Sequence, residues 1–428
     1  MKHAGYIPLF FFVSAYSAAQ STLSMADFNS DTTNLAAGIN GIYKINSTAL
    51  TGKFYNSVLY GKYIDKPVKD RVSKRLVKFN KAGGDYEYGL FYSQKIDTLF
   101  GKTGFNYFIS AADKAHSDAL FTDDFFKVVF YGNKGYEGDT ARLGSFNFNL
   151  LRYQQLQLGL IKKNDNETEF GFGLSFLKGE QFFELNAYRA NVFTSANGKD
   201  IDVDLLYSTI RSDTANKGWG AVNGLGASAG LYYQVPYYMF QSPDDSAGGS
   251  AGWKGFVRIE ASDIGFIKWN GNSQKSIVDT NFHFEGVVIE NLLEWSDSMG
   301  EISLDSLKNT VAPSWQNSSF TSVMPGYFHL KMYQENSAGL YLSMGTVLRV
   351  FSNYSPLIYI QGGHEIKNKY RLGGTVEFGG YGKFDFGIEA SARTMGFAIT
   401  LGTYNFAGLL FPNYFGGSSL YGGVKKTF

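Results

Sequence analysis

Along residues 381–393 the side chains alternate one by one. Phe384, Phe386, Ile388, Ala390 and Ala392 fall on one face, while Lys383, Asp385, Gly387, Glu389, Ser391 and Arg393 fall on the other. A period of two belongs to a β-strand, whose successive Cβ atoms point to opposite sides. The same alternation recurs at 37–46, 85–94, 104–111, 125–132, 153–162, 168–178, 182–194, 201–210, 222–235, 254–269, 277–290, 323–334, 338–350, 355–364, 369–379, 395–404 and 418–428. Asn197-Gly198, Gly379-Gly380 and Glu335-Asn336 mark short turns, so consecutive strands run antiparallel.

The apolar faces belong either to a soluble core or to a surface in lipid. A two-sheet sandwich runs to about 100 residues, or up to roughly 250 as one domain; this chain has 428 residues and no visible linker. Aromatic residues make up 17% of it and charged residues only 18%, with 50 glycines and 8 prolines, a balance that suits interfacial aromatic girdles and tight turns. No apolar run approaches the roughly 20 residues of a spanning helix, so a membrane span must be β. The expected fold is all-β: a transmembrane antiparallel up-and-down β-barrel of roughly 14 to 18 strands, with one or two short helices in its loops.

The start of the chain supplies an address. Lys2 and His3 precede an apolar stretch containing Leu9, Phe10, Phe11, Phe12 and Val13, and Ser17, Ala18 and Ala19 follow. This is the order of a secretory signal peptide over 1–19, cleaved before Gln20 and leaving a single barrel domain over 20–428. Absence of cysteine removes disulfides and thiolate metal sites, and a net charge of +1 gives no pull toward nucleic acid. Export places the chain in the outer membrane of a Gram-negative bacterium, in contact with outer-membrane lipid and, during biogenesis, with the barrel-assembly machinery.

Counting strands back from Phe428, with that residue at the periplasmic rim, places 405–417, 351–354, 290–322 and 237–253 on the outer side and the Glu335-Asn336 and Arg393-Thr394 turns on the inner side. Lys426 stands two residues before Phe428, where an aromatic residue is usual; a rim lysine snorkels there. Two segments break the alternation. In 65–83, Val68, Val72, Leu76 and Phe79 recur at helical spacing among seven basic residues, with Asp65 as N-cap and Gly83 as stop, a basic amphipathic helix that either meets anionic lipid or packs on the barrel. Ile302, Leu304, Leu307 and Val311 mark a second, short helix.

Several motifs in this order resemble an uncharacterised family of outer-membrane barrels of Bacteroidota: Asp124-Phe125-Phe126 leading to Tyr131-Gly132-Asn133 and Tyr136-Glu137-Gly138, then Phe170-Gly171-Phe172-Gly173 and Leu177-Lys178-Gly179, then the run from Asp263 to Trp269, and Met324-Pro325. That family is distantly similar to long-chain fatty-acid transporter barrels and to the shuttle barrel of type IX secretion. The transporters carry an Asn-Pro-Ala element associated with a luminal plug. The nearest counterpart here, Asn34-Leu35-Ala36, lacks the proline, which argues against such a plug and against fatty-acid transport.

Candidate chemistry is sparse. His283 and Glu285 share one strand face, His329 and Lys331 another, and neighbouring strands would bring the four together in the lumen; a polar lumen lining accounts for them equally. Arg371, Glu377, Asp385 and Glu389 are the other candidate lumen residues, and their mixed signs argue against strong ion selectivity. No nucleophile elbow, phosphate loop or metal-ligand spacing appears, so no cofactor, metal site or enzyme activity is expected. Two functions remain: a passive channel or binding barrel for a small or hydrophobic solute, or a non-transporting accessory subunit of an outer-membrane complex such as a secretion apparatus. For the second, Phe406, Leu409, Leu410, Phe411, Tyr414 and Phe415 form the candidate loop for an envelope protein partner, or a loop that folds into the mouth or dips into the outer leaflet.

Overall fold

The computed structural model describes residues 24–28, 34–239, 253–285, 314–367 and 369–428. The signal peptide and the short helix expected near 302–311 lie outside these residues. In chain order the strands are β1 (Leu35–Ser47), β2 (Phe79–Ile96), β3 (Phe105–Thr122), β4 (Asp139–Arg142), β5 (Phe146–Lys163), β6 (Glu169–Thr194), β7 (Asp200–Arg211), β8 (Gly224–Met239), β9 (Trp253–Trp269) and β10 (Gln274–Glu285). There follow β11 (Gln316–Asn317), β12 (Phe320–Val323), β13 (Tyr327–Asn336), β14 (Leu340–Arg349), β15 (Ser355–Ile366), β16 (Tyr370–Gly380), β17 (Phe384–Thr394), β18 (Phe397–Thr403) and β19 (Ser418–Thr427).

Fourteen of these strands close a circuit, β1-β2-β3-β5-β6-β8-β9-β13 and on through β19, which pairs back onto β1 from Ala36↔Thr427 to Ile45↔Ser418. Closure leaves no unpaired edge in the wall, the condition for a sheet to cross lipid. The distribution of polarity is inverted relative to a soluble protein. On β5, Leu156, Leu158 and Leu160 are exposed while Gln155 is buried; on β17, Phe384, Phe386 and Ile388 are exposed while Asp385 and Glu389 are buried. A continuous apolar exterior around a charged interior is stable only when the exterior solvent is hydrocarbon. Tyr86 and Tyr88 face outward near the middle of β2, and Lys426 reaches over the Phe397 ring (4.2 Å) at the rim where the chain ends. That end is called inner below; its described turns, such as the one after Asn336, are short.

Three described features differ from the sequence expectation. β7 pairs with the upper half of β6, and β10 pairs with β7, both outside the circuit. β6 has 26 residues, far more than a crossing needs: Glu169 to Gly179 pair with β8 in the wall, and Phe183 to Thr194 rise beyond it as a projecting sheet. Because β10 does not cross, strand parity reverses upstream of it: Met239 and Trp253 stand at the inner end, Trp253 opposite Asn336, whereas 237–253 was expected outside. Residues 125–132, expected as strand, belong to a helix, α3 (Asp123–Tyr131), capped by Thr122 with Asp123 and Asp124 in its first turn. The basic helix is shorter than expected: α2 (Lys66–Ser73) has its N-cap at Asp65, but β2 already begins at Phe79, so Gly83 is strand. Two more helices, α1 (Gly52–Leu59) and α4 (Phe406–Leu410), complete the described outer end.

Candidate functional site: the filled lumen

The lumen is built by inward-facing positions, and its floor is the start of the described chain. Met25–Phe28 form one 3₁₀ turn inside the barrel. Met25 and Phe28 are 1% exposed in a cluster with Phe91, Phe108, Ile161 and Tyr232. The Phe28 ring lies 4.7 Å from Phe91 and 5.1 Å from Phe108. Backbone brings Met25 close to the wall: a Cβ on Gly173 or on Gly230 would stand 3.0 Å from the Met25 side chain. Polar contacts hold the turn at its margins, with Ser24 Oγ donating to Glu260 (2.8 Å), Ser93 Oγ to the Phe28 carbonyl (2.6 Å) and Lys425 Nζ to the Asp27 carbonyl (3.0 Å). A luminal plug therefore exists without the proline-bearing element; the residues that form it precede Asn34.

Above the plug the lumen is polar. Lys114 Nζ meets Asp263 at 3.0 Å and Glu87 at 3.5 Å, and Gln155 donates to the second Asp263 oxygen at 2.8 Å. Asp263 reaches inward through a bulge: the β8–β9 register slips between Ala229 and Leu231, and Asp263 adopts φ 56°. The slip swaps which parity of β9 faces in, so Arg258, Glu260 and Ser262 line the lower lumen and Ile267 and Trp269 the upper. Near the outer end Arg349 Nη1 bonds Asp85 at 2.6 Å, from strands halfway round the circuit. His116 bridges Asp85 (2.8 Å) and Asp118 (3.1 Å), and Tyr381 donates to Asp118 (3.3 Å) from the outer β16–β17 turn. Burial pushes the Tyr381 phenol well above its ordinary pKa, so it acts as a neutral donor. Beside these groups remains a cavity of about 30 Å³ lined by Lys44, Asn46, Asp85, Arg349, Tyr354 and Tyr381, room for water only. A second apolar cluster, Leu151, Tyr153, Leu177, Phe182, Ile267, Trp269 and Met324, fills the upper lumen beneath the projecting sheet.

The candidate lumen residues divide. His329, Lys331, Arg371, Glu377, Asp385 and Glu389 are all buried on inward positions. Glu377 accepts from Lys44 (2.8 Å), Asp385 from Asn46 (2.6 Å) and Glu389 from Tyr421 (2.9 Å); Arg371 stacks 3.6 Å over Tyr341; His329 bonds the Tyr359 hydroxyl (2.9 Å); Lys331 stands opposite Arg258. His283 and Glu285 do not join them. They lie on β10 in the projecting sheet, exposed, with His283 bonded to Asp202 at 2.6 Å. Among the described residues no group of three or more His, Asp or Glu is placed to hold a metal. The aromatic loop is outside the lumen: Leu409, Leu410, Phe411, Tyr414 and Phe415 are exposed and Phe406 packs on lipid-facing Phe386. Sequence reading missed the plug, the Lys114–Asp263 pair and the Asp85–His116–Asp118–Arg349 layer. The sequence signal available for the last was Lys114, His116 and Asp118 at spacing two on one strand face.

No curated protein matches the chain. Among solved structures it is similar to a TodX deltaS2S3 mutant monoaromatic hydrocarbon channel, with 9% identity, a TM-score of 0.46 and coverage of 98% of this chain and 96% of that one. A Pseudomonas aeruginosa FadL homologue shows 10% identity and a TM-score of 0.41 over 92% and 88%. The translocator domain of the autotransporter NalP from Neisseria meningitidis shows 8% identity and a TM-score of 0.33 over 94% and 91%. The model of a family of unknown function (DUF5723) matches residues 28–403, nearly the whole barrel, and the chain belongs to that family.

Proposed function

We propose that the chain is an outer-membrane barrel that passes a small apolar or amphipathic solute, with the Met25–Phe28 turn as a movable plug. One observation carries this reading: an apolar socket sits at the floor of the lumen, directly below a polar layer, and the chain's own Met25 and Phe28 occupy it. Burying two such side chains is worth about 3–6 kcal/mol, and each neutral hydrogen bond at the margin about 1 kcal/mol net. A solute of similar apolar area replaces the larger of these terms, so exchange of turn for solute is energetically near balance. The polar layer above then passes a solute only as its side chains part, which favours small cargo over bulk ion flow. The accessory-subunit reading has its own support in the cross-lumen brace Arg349–Asp85, which ties opposite walls together.

The two separate in vesicles. Purified full-length protein in phospholipid vesicles should speed entry of a small apolar fluorescent dye, and Met25→Ser with Phe28→Ser should raise that rate by roughly tenfold. Rates equal to protein-free vesicles for both would abandon transport in favour of the accessory role.

A further inference from the structure

The chain's positive charge is concentrated in one place. Residues 52–79 hold eight basic and two acidic side chains, within a chain of net charge +1. This segment, carrying α1 and α2, packs against the α4 loop on the outside of the wall. Gly52 N donates to the Phe415 carbonyl and Lys53 N to the Pro412 carbonyl, both at 2.8 Å, and the Arg75 guanidinium bonds the Tyr414 carbonyl. Phe406 touches Phe386 of the lipid-facing surface (ring centroids 6.3 Å), and Leu409 shares a small cavity with Tyr43, another outward residue. The platform is thus continuous with the surface that meets hydrocarbon.

Phe54, Val68 and Val72 of the platform are buried against Ala82, Phe121 and Phe126, but a second set of apolar side chains faces away. Leu59, Tyr60, Tyr63, Leu410, Phe411 and Tyr414 are each more than half exposed. Cations stand against the rings: Lys62 over Tyr60 at 5.6 Å, Lys69 over Tyr63 at 5.7 Å and Arg71 over Tyr414 at 5.5 Å. Aromatic rings with basic groups beside them are the composition of a bilayer interface, where rings sit at head-group depth and cations meet phosphates.

We propose that this platform anchors the barrel's outer rim in the bilayer interface and binds phosphorylated lipid head groups through Lys62, Arg71 and Arg75. The apolar tips enter the acyl boundary, and the excess positive charge selects anionic over zwitterionic lipid.

The test uses the full-length protein in two ways. By native mass spectrometry after exposure to equimolar phosphatidylglycerol and phosphatidylcholine, the wild type should retain the anionic lipid in roughly tenfold excess; changing Lys62, Arg71 and Arg75 to Gln should abolish the excess. Because the chain has no cysteine, Phe411→Cys also takes a single fluorescent label, which tests the placement even if the triple variant misfolds. In bilayer discs the label should be quenched by a shallow lipid-borne nitroxide and shielded from aqueous iodide. Equal retention of both lipids, quenching by iodide, or a stoichiometric envelope protein covering the label would each overturn the proposal.

Discussion

Asp263 occupies the left-handed region at φ 56°, uncommon for a residue other than glycine, and gains from it a carboxylate aimed at Lys114 and Gln155. A buried ion pair is not strong evidence of net stability, but losing one partner leaves a desolvated charge. Lys114→Met should therefore lower stability by about 3–5 kcal/mol in urea unfolding, and adding Asp263→Asn should recover part of it. Gly173 leaves no room for a larger side chain: a Cβ there would stand only 3.0 Å from Met25 Sδ and from Gln157 Nε2. Gly173→Leu should evict the plug without touching it, and an unaltered rate of dye entry beside a faster one for the Met25/Phe28 variant would show that Met25 does not seat there. Alternation alone assigned His329, Lys331, Arg371, Glu377, Asp385 and Glu389 to one side of their strands, because a period of two fixes the face. It was silent on Met25 and Phe28, since a single 3₁₀ turn has no period to read. Their socket left a fainter trace: Phe91 shares its face with Asp85 and Glu87, a position where an aromatic needs an apolar partner inside the lumen.

Among the elements, those that depart from the sequence reading are the ones whose pattern fits two states. The run Phe125-Phe126-Lys127-Val128-Val129-Phe130-Tyr131 is rich in aromatic and β-branched residues, which favour strand, yet the Thr122 cap and two acids before it started a helix. β10 alternates as cleanly as a crossing strand, because a projecting sheet with one covered and one open face imposes the same period. Only its pairing with β7 reveals that it does not cross, and that pairing reverses the sides of the connections upstream. Thiol labelling decides the topology. A membrane-impermeant maleimide on intact cells should modify Lys199→Cys at the tip of the projecting sheet and His283→Cys beside it, but neither Asn336→Cys at the inner turn nor His329→Cys in the lumen. Modification of Asn336→Cys on intact cells would reverse the orientation.

For the whole molecule, the inversion of polarity decides the environment, and the filled lumen is what the proposed plug mechanism rests on. Charges are arranged in layers from the inner to the outer end: Arg258 and Glu260 below, Lys114 and Asp263 in the middle, Asp85 and Arg349 above, with apolar clusters at the plug and beneath the projecting sheet. A permanently open pore would leave these groups to water, whereas here Lys114 pairs with Asp263, Arg349 with Asp85, Arg258 bonds Gln234 and Glu260 accepts from Ser24. The proposed transport depends on a local change that costs little, and the Met25–Phe28 turn, held by a few hydrogen bonds and two side chains, is the segment assigned to it. The direct measurement is the distance between spin labels at Asp27→Cys in the plug and Asn336→Cys at the inner rim, in vesicles, before and after adding the transported dye. The account predicts a distance distribution that shifts and broadens as dye enters. A narrow, unmoved distribution while dye crosses at the full rate would contradict it.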